Sequence, residues 1–325
     1  MKKSFLLLFA VFLVSCETEN KTETINFEGF VFGTTYHITL NTDKKIEYQK
    51  SIDSLFFLVN KSLSTYIPAS DISKINSGDS TIVVDDLFVE VFQKSKRIYK
   101  ETDGYFDPTV GNLVNAWGFG PNQPKEDLDS LEVQKMMQFV GLEKVQLKNR
   151  TVKKQFQEIY LDFNSIAKGF GIDVIGRFLE KKNVQHYLVE IGGEIRAKGK
   201  NNKGNFWKVA IEKPNTDGSQ SFQTAIELVN ESMATSGNYR KFRITKAGKK
   251  YVHTINPKTG FAKESNLLSA SVIASSDCAD VDAYATAFMA MGFEKTKEFL
   301  KTHKKIKVVL MYLDKENSIR EYRNF

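Results

Sequence analysis

The stretch HYLVEIGGEIRAKG, residues 186–199, decides between fold classes. It reads as two short strands, 186–191 and 194–199, separated only by Gly192 and Gly193. More strands follow at 206–212, 222–229, 239–245, 251–255 and 267–274. Upstream, residues 27–40 read as two strands broken near Gly33, with Tyr36, Ile38 and Leu40 alternating. Helical spacing of Ile52, Leu55, Phe56, Val59 and Leu63 predicts a helix within 46–63, and further helices are expected at Leu87–Tyr99, Leu131–Phe139 and Gly169–Lys181. Short strands are expected at 145–148 and 157–162, a helix from Asp277 to Gly292, another at 294–302, and a final hairpin joining IKVVLMYL to the chain end. Strands and helices therefore come in runs, which argues for an α+β fold over a doubly wound parallel sheet.

The first residues, MKKSFLLLFAVFLVSC, have the charged start, short apolar run and small-residue end of an export signal. The apolar run from Phe5 to Val14 is too short to span a bilayer as a helix. Leu13-Val14-Ser15-Cys16 resembles a bacterial lipobox, in which the cysteine becomes the lipidated first residue; several acyl chains on one residue give stable anchoring. The expected organisation is a signal peptide at 1–15, a lipidated Cys16 with a tether through 25, and one catalytic unit at 26–325. An ordinary cleaved signal is the simpler reading of the same residues.

The 325-residue chain is 41% hydrophobic and 12% aromatic, a globular composition that excludes a disordered chain. Its formal charge of +7 falls by two to +5 once Lys2 and Lys3 leave, and the other lysines are scattered among acids. Nucleic-acid binding is therefore not indicated. With Cys16 lipidated, Cys278 has no partner for an intramolecular disulfide and reads as a small buried residue. Absence of CxxC, HExxH or a histidine cluster argues against a zinc or iron site.

Hard-oxygen chemistry is another matter. In DCADVDAYATA, residues 277–287, Asp282 and Thr286 are four apart and share one helix face, flanked by Ala279, Ala283 and Ala285. A carboxylate, a hydroxyl and a nearby carbonyl suit Mg²⁺, although a tightly packed helix with a solvent-facing aspartate fits equally well. Ser275, Ser276 and Asp277 are good N-cap residues, and Asp280 complements the helix dipole. In LDFNSIAKGFGID, residues 161–173, Lys168-Gly169-Phe170-Gly171 reads as a helix entry whose amides and ammonium can face an anion; an ordinary helix start fits too. The stretch 102–121, TDGYFDPTVGNLVNAWGFGP, lacks helical periodicity and reads as an aromatic loop, either a core plug or a grip on a flat ring. YVHTINPKTG, 251–260, reads as a short strand holding His253 before an Asn-Pro-Lys-Thr-Gly turn.

In combination and order, FGTTYHI (32–38), LSTYIPASDISKIN (63–76), the 102–121 stretch, LDFNSIAKGFGID, LVEIGGEIRAKG, MATSGNYRKF (233–242), HTINPKTG and DCADVDAYATA resemble the ApbE family, the FAD:protein FMN transferases. The resemblance runs from about Phe27 to at least Gly292. It implies a T-fold-like architecture of antiparallel sheets packed against helices, with a magnesium site made of Asp282, Thr286 and the main-chain carbonyl of Ala167. FAD contacts implied by motif are Phe32, Tyr66, Phe106, Asp107, Asp162, Lys168 and Ile255. Phe32 stands where family members often have methionine. Gly192 and Gly193 fit either a tight turn near the ligand or a plain strand break.

The reaction implied is Mg²⁺-dependent transfer of FMN from FAD to a threonine or serine hydroxyl of a partner protein, with AMP leaving and His253 as the candidate base. Water in the acceptor's place would instead make an FAD pyrophosphatase, and loss of the chemistry altogether an FAD-carrying lipoprotein. Implied acceptors are flavin-carrying subunits of membrane redox complexes, and the implied location is the cell envelope, with a lipid anchor and the catalytic domain facing the periplasm.

Overall fold

The structure, a computed structural model, describes residues 23–43, 46–122, 124–125, 128–212, 222–238, 242–244, 250–262 and 265–325. The signal segment and Cys16 lie outside the described residues. In chain order come β1 (Glu23–Val31), β2 (Thr34–Thr42), α1 (Gln49–Leu63), α2 (Asp71–Asn76), α3 (Asp86–Glu101), α4 (Gly111–Ala116) and α5 (Ser130–Met137). They are followed by β3 (Val145–Lys148), β4 (Thr151–Lys154), α6 (Asn164–Lys181), β5 (His186–Ile191), β6 (Glu194–Lys198), β7 (Trp207–Glu212) and β8 (Phe222–Leu228). The last part contains β9 (Ser232–Gly237), β10 (Phe242–Ile244), β11 (Lys250–Val252), β12 (Leu267–Ala274), α7 (Cys278–Met291), α8 (Phe293–Thr302), β13 (Lys307–Leu313) and β14 (Ile319–Arg323).

Eight strands form one sheet in the order β1-β2-β5-β6-β9-β12-β13-β14, and every neighbouring pair is antiparallel. This is the α+β class expected from the runs of strands. Strand alternation divides two cores. Ala270 and Val272 of β12, Val308 and Leu310 of β13 and Ala234 of β9 face the main core, which α1, α3, α6 and α7 cover. Ile195, Ala197, Met233, Ile273 and Val309 point the other way, against the two-stranded β7–β8 ribbon with Trp207, Val209, Ile226 and Leu228. A third cluster, with Leu113, Trp117, Val133, Val140, Ile255 and Ala262, joins α4 and α5 to the 255–262 turn. Among the described residues no helix is long and apolar enough to cross a membrane.

Several boundaries differ from the sequence expectations. β1 begins at Glu23 and pairs Glu23, Thr24 and Ile25 with Thr42, Asn41 and Leu40, so the last three residues assigned to the tether belong to the sheet. The strand expected at 157–162 reduces to one bridge, Val110 to Tyr160, because the facing segment has Pro108, which lacks an N–H, and then coils into α4. Residues 111–116 of the expected loop are therefore helical, in an element too short to show a period. α6 starts at Asn164 and not Gly169, so Lys168 and Gly169 lie inside the helix. β11 ends at Val252, since its partner β10 pairs only from Phe242 to Ile244, and His253 sits just past the strand. Part of the strand expected at 239–245 lies outside the described residues.

Candidate functional site

Two helices cross where small residues permit it. A Cβ on Gly169 would lie 2.6 Å from the Cys278 carbonyl carbon and 2.8 Å from the Ala279 Cα, closer than real packing allows. Glycine at 169 thus lets the backbone of α6 nearly touch that of α7 at Cys278 and Ala279, and Ala279, Ala283 and Ala285 are all fully buried. At that crossing the Gly169 N–H donates to Oδ2 of Asp282 at 3.0 Å. Asp282 is buried, at 3% exposure, which settles the earlier choice against a solvent-facing carboxylate. The anion-facing amides expected at 168–171 are corrected here: the Gly169 N–H is already committed to Asp282 because it sits within the helix, against α7.

Three further groups of the expected set lie on the same two helices. The Lys168 ammonium donates to Oε2 of Glu194 at 2.6 Å. The Thr286 hydroxyl, one turn along α7 from Asp282, lies 3.4 Å from the Ser236 hydroxyl on β9. Ala167 precedes Lys168 in the first turns of α6. Burial pushes the Asp282 carboxyl's proton affinity up, against the pull of Lys168 and the Gly169 amide. Burial likewise raises that of Glu194, opposed by Lys168 and reinforced by Asp282. For Lys168, burial works against the charge, but Glu194 and Asp282 outweigh it and hold the ammonium.

The crossing is fixed from below by an ion network. Asp277 is the N-cap residue of α7, yet its side chain makes no cap bond. It accepts instead from Lys94 at 2.8 Å, Arg177 at 2.7 Å and Arg196 at 2.9 Å, and despite burial these cations draw its pKa down to about 2. The first amides of α7 are capped by Asp173 of α6, whose Oδ1 accepts from Cys278 N–H at 2.8 Å and Oδ2 from Ala279 N–H at 2.9 Å. Asp280 complements the helix start as expected and also pairs with Lys94 at 3.2 Å and Arg97 at 2.7 Å. Cys278 is fully buried.

The flavin-contact candidates occupy several settings. Phe32 and Gly33, with φ of 51° and 77°, make the two-residue β1–β2 turn, and the Phe32 ring lies on α6 at Gly171, where a Cβ would stand 2.9 Å from its Cζ. Tyr66 is 54% exposed, and its hydroxyl donates to the Phe119 carbonyl at 3.5 Å. Burial, then Asp162 and Tyr160, raise the Tyr66 pKa, which puts its phenol in the field of Asp162. The Phe119 ring stands edge-on to His253 at 6.4 Å. His253 is followed by Thr254, which donates to Asn238 at 2.9 Å, two residues past Ser236, so the base candidate is tied to the strand end that meets Thr286.

Other candidates are engaged within the protein. Asp162 Oδ1 accepts from the Asn164 N–H at the start of α6. Asp107 accepts from the Thr109 N–H and hydroxyl at 2.8 and 2.6 Å, and burial raises its pKa to about 6 against those bonds. The Phe106 ring is 1% exposed in the main core, and Ile255 is 6% exposed in the third cluster. Sequence reading passed over Glu194, Ser236 and Phe119. Their stretches were singled out, but a lone Glu after Gly-Gly, a Ser on a strand and a Phe in a loop signal nothing until the sheet brings them to the helices.

Among the described residues, no group of three or more His, Cys, Asp or Glu side chains forms a metal cluster. The donors present, the buried Asp282 carboxylate and, one turn along α7, the Thr286 hydroxyl beside that of Ser236, are hard oxygens of the kind that suits Mg²⁺, and a cation there would offset the burial of Asp282.

The chain is similar to known proteins along most of its length. The FAD:protein FMN transferase of Haemophilus influenzae is 37% identical over 302 residues, covering 89% of this chain and 86% of that protein. The solved flavin transferase ApbE from Vibrio cholerae superposes with a TM-score of 0.84 at 33% identity, covering 93% of this chain and 97% of that one. The apo flavinyl transferase ApbE of Pseudomonas stutzeri gives 0.82 at 26% identity, covering 93% and 95%. The sequence profile of the ApbE family matches residues 32–310, and the chain belongs to that family.

Proposed function

We propose that the protein is an FAD:protein FMN transferase, moving FMN from FAD to a threonine or serine hydroxyl of an acceptor protein with release of AMP. The observation that carries the reading is the crossing of α6 and α7, where the Gly169 N–H meets Asp282 with Lys168 next to it in α6 and Thr286 one turn along α7, in a chain whose relatives bear that name. Asp282, Thr286 and the Ala167 carbonyl would hold Mg²⁺. When bound, it supplies neutralisation of the diphosphate oxygens and of the charge that develops on departing AMP.

The chain's own residues do the rest. Lys168 binds the diphosphate, while Phe32 and Tyr66 offer ring surfaces to the flavin or adenine. His253 takes the proton from the acceptor hydroxyl as its oxygen bonds to the riboflavin-side phosphorus. The bond from that phosphorus to the bridging oxygen breaks, and AMP keeps the bonding electron pair. Base assistance of this kind is worth about 10²- to 10⁴-fold. Acceptors are flavin-carrying subunits of membrane redox complexes, reached by an enzyme anchored through Cys16 with its domain in the periplasm.

The test is mass spectrometry of an acceptor fragment incubated with the protein, FAD and Mg²⁺. The expected result is a mass gain of FMN less water that EDTA abolishes. Asp282→Asn retains a carbonyl oxygen for the Gly169 N–H but loses the charge, so it should fold and fail to modify the acceptor. Wild-type turnover in that variant would refute the metal assignment, and AMP release without acceptor modification would favour the pyrophosphatase.

A further inference from the structure

Glu194 is an ionisable group beside the α6–α7 crossing that the proposed donor set leaves unused. Its side chain is 5% exposed, against 32% for Lys168, and it accepts a hydrogen bond from the Lys168 ammonium at 2.6 Å. Its position is set by a rigid turn. Gly192 and Gly193 both have left-handed φ, 61° and 100°, and the Gly193 N–H donates to Glu190 Oε1 at 2.6 Å. Gly192 has no room for a side chain, since a Cβ there would meet the Thr34 side chain at 2.7 Å. The carboxylate is therefore delivered to Lys168 by the backbone itself and does not depend on the ligand.

The charge count at this crossing has a consequence for FAD. One ammonium stands among two buried carboxylates, Glu194 and Asp282, so the group carries one net negative charge when all are ionised. Such a group does not attract a diphosphate, and Lys168, which would hold it, is already bonded to Glu194.

We propose that Glu194 is a positioning residue that holds Lys168 as a counter-charge and makes FAD binding contingent on a divalent cation. With the cation on Asp282, the local charge turns positive and the ammonium can be shared between Glu194 and a phosphate oxygen. This rests on the FAD-dependent reading above and adds a rule of assembly: the enzyme takes FAD with its cation and turns away metal-free FAD. By linkage, FAD must strengthen binding of the cation by the same factor.

The experiment is titration of FAD, read by flavin fluorescence, against the whole protein in Mg²⁺ and in EDTA. Wild type should bind FAD about tenfold or more weakly in EDTA, the scale on which one nearby charge moves a neighbouring ionisation. Glu194→Gln should bind FAD in EDTA about tenfold or more tightly than wild type, a gain that a damaged fold would not produce. Adding Lys168→Met should abolish that gain, and Mg²⁺ titrated without FAD should bind Glu194→Gln more weakly than wild type. Glu194→Met removes the same charge without an amide to satisfy, and serves if the glutamine variant does not fold. Equal FAD affinity in Mg²⁺ and EDTA for wild type, or no metal-free gain in either variant, would overturn the proposal. A wild type that binds no FAD even with Mg²⁺ would instead bring down the flavin reading on which it rests.

Discussion

A methyl group at position 169 sets two energies against each other. Within a helix, alanine is favoured over glycine by about 1 kcal/mol. Here the added carbon would press on the Cys278 carbonyl carbon at 2.6 Å and the Ala279 Cα at 2.8 Å, and backbone cannot rotate aside as a side chain can. Overpacking of this kind costs about 1–3 kcal/mol, so the clash should win. Gly169→Ala should lower stability to denaturant by up to about 2 kcal/mol and weaken Mg²⁺-supported FAD binding, because parting the helices moves the Gly169 N–H from Asp282. Unchanged stability would mean that the crossing is looser than drawn. At this scale the sequence was informative about Asp282 and Thr286, whose spacing put them on one face. It was silent about Glu194, which becomes a partner of Lys168 only through the sheet.

The start of α7 depends on a neighbour. Asp173 accepts its first two amides and the Arg196 guanidinium at 2.6 Å, while Asp277, at the cap position, is turned toward three cations. Replacing Asp173 by asparagine would set an amide N–H against one of those helix N–H groups and leave Arg196 with less charge to meet. The expected loss is about 2–4 kcal/mol, measurable by denaturant unfolding. The pH dependence has a definite sign. Burial, with Asp277, raises the Asp173 pKa from 3.8 to about 6 in spite of Arg196 and the two amides. Between those values the folded state binds the proton more readily than the unfolded chain, so this group's contribution to stability falls as pH rises toward 6. In Asp173→Asn the slope of stability against pH from 4 to 6 should therefore turn more positive, by up to about 1.4 kcal/mol per unit. The elements legible beforehand were those with a clear period, such as α1, α3, β5 and β12. β9, SMATSG, escaped because its serines, threonine and glycine look like a loop, although it lies between β6 and β12 in the sheet. α2 and α4, six residues each, are too short to show a helical period.

On the scale of the molecule, one antiparallel sheet separates a helical side, which carries the candidate site, from the β7–β8 side. Runs of strands made the class legible, but strand order was not, because β2 pairs with β5 across some 150 residues of helix and loop and nothing local encodes that pairing. The proposed lipid anchor belongs to this scale too. Cys16→Ser should move the protein from the membrane to the soluble fraction on cell fractionation, while leaving FMN transfer to a soluble acceptor fragment intact. Retention in the membrane would refute the anchor.

β1 then acquires a role beyond pairing. It is a nine-residue edge strand that starts at Glu23 and whose far end turns at Phe32 onto α6, two residues past Gly169. A strand of this length spans ~30 Å. The seven links from Cys16 to Glu23 reach at most ~25 Å when fully drawn out. With Cys16 lipidated as proposed, the strand would be a fixed spacer on a short leash, and together they would set a ceiling of ~55 Å on how far above the bilayer the Phe32 turn can stand. An acceptor whose hydroxyl stands much higher than that would have to lean down to be modified.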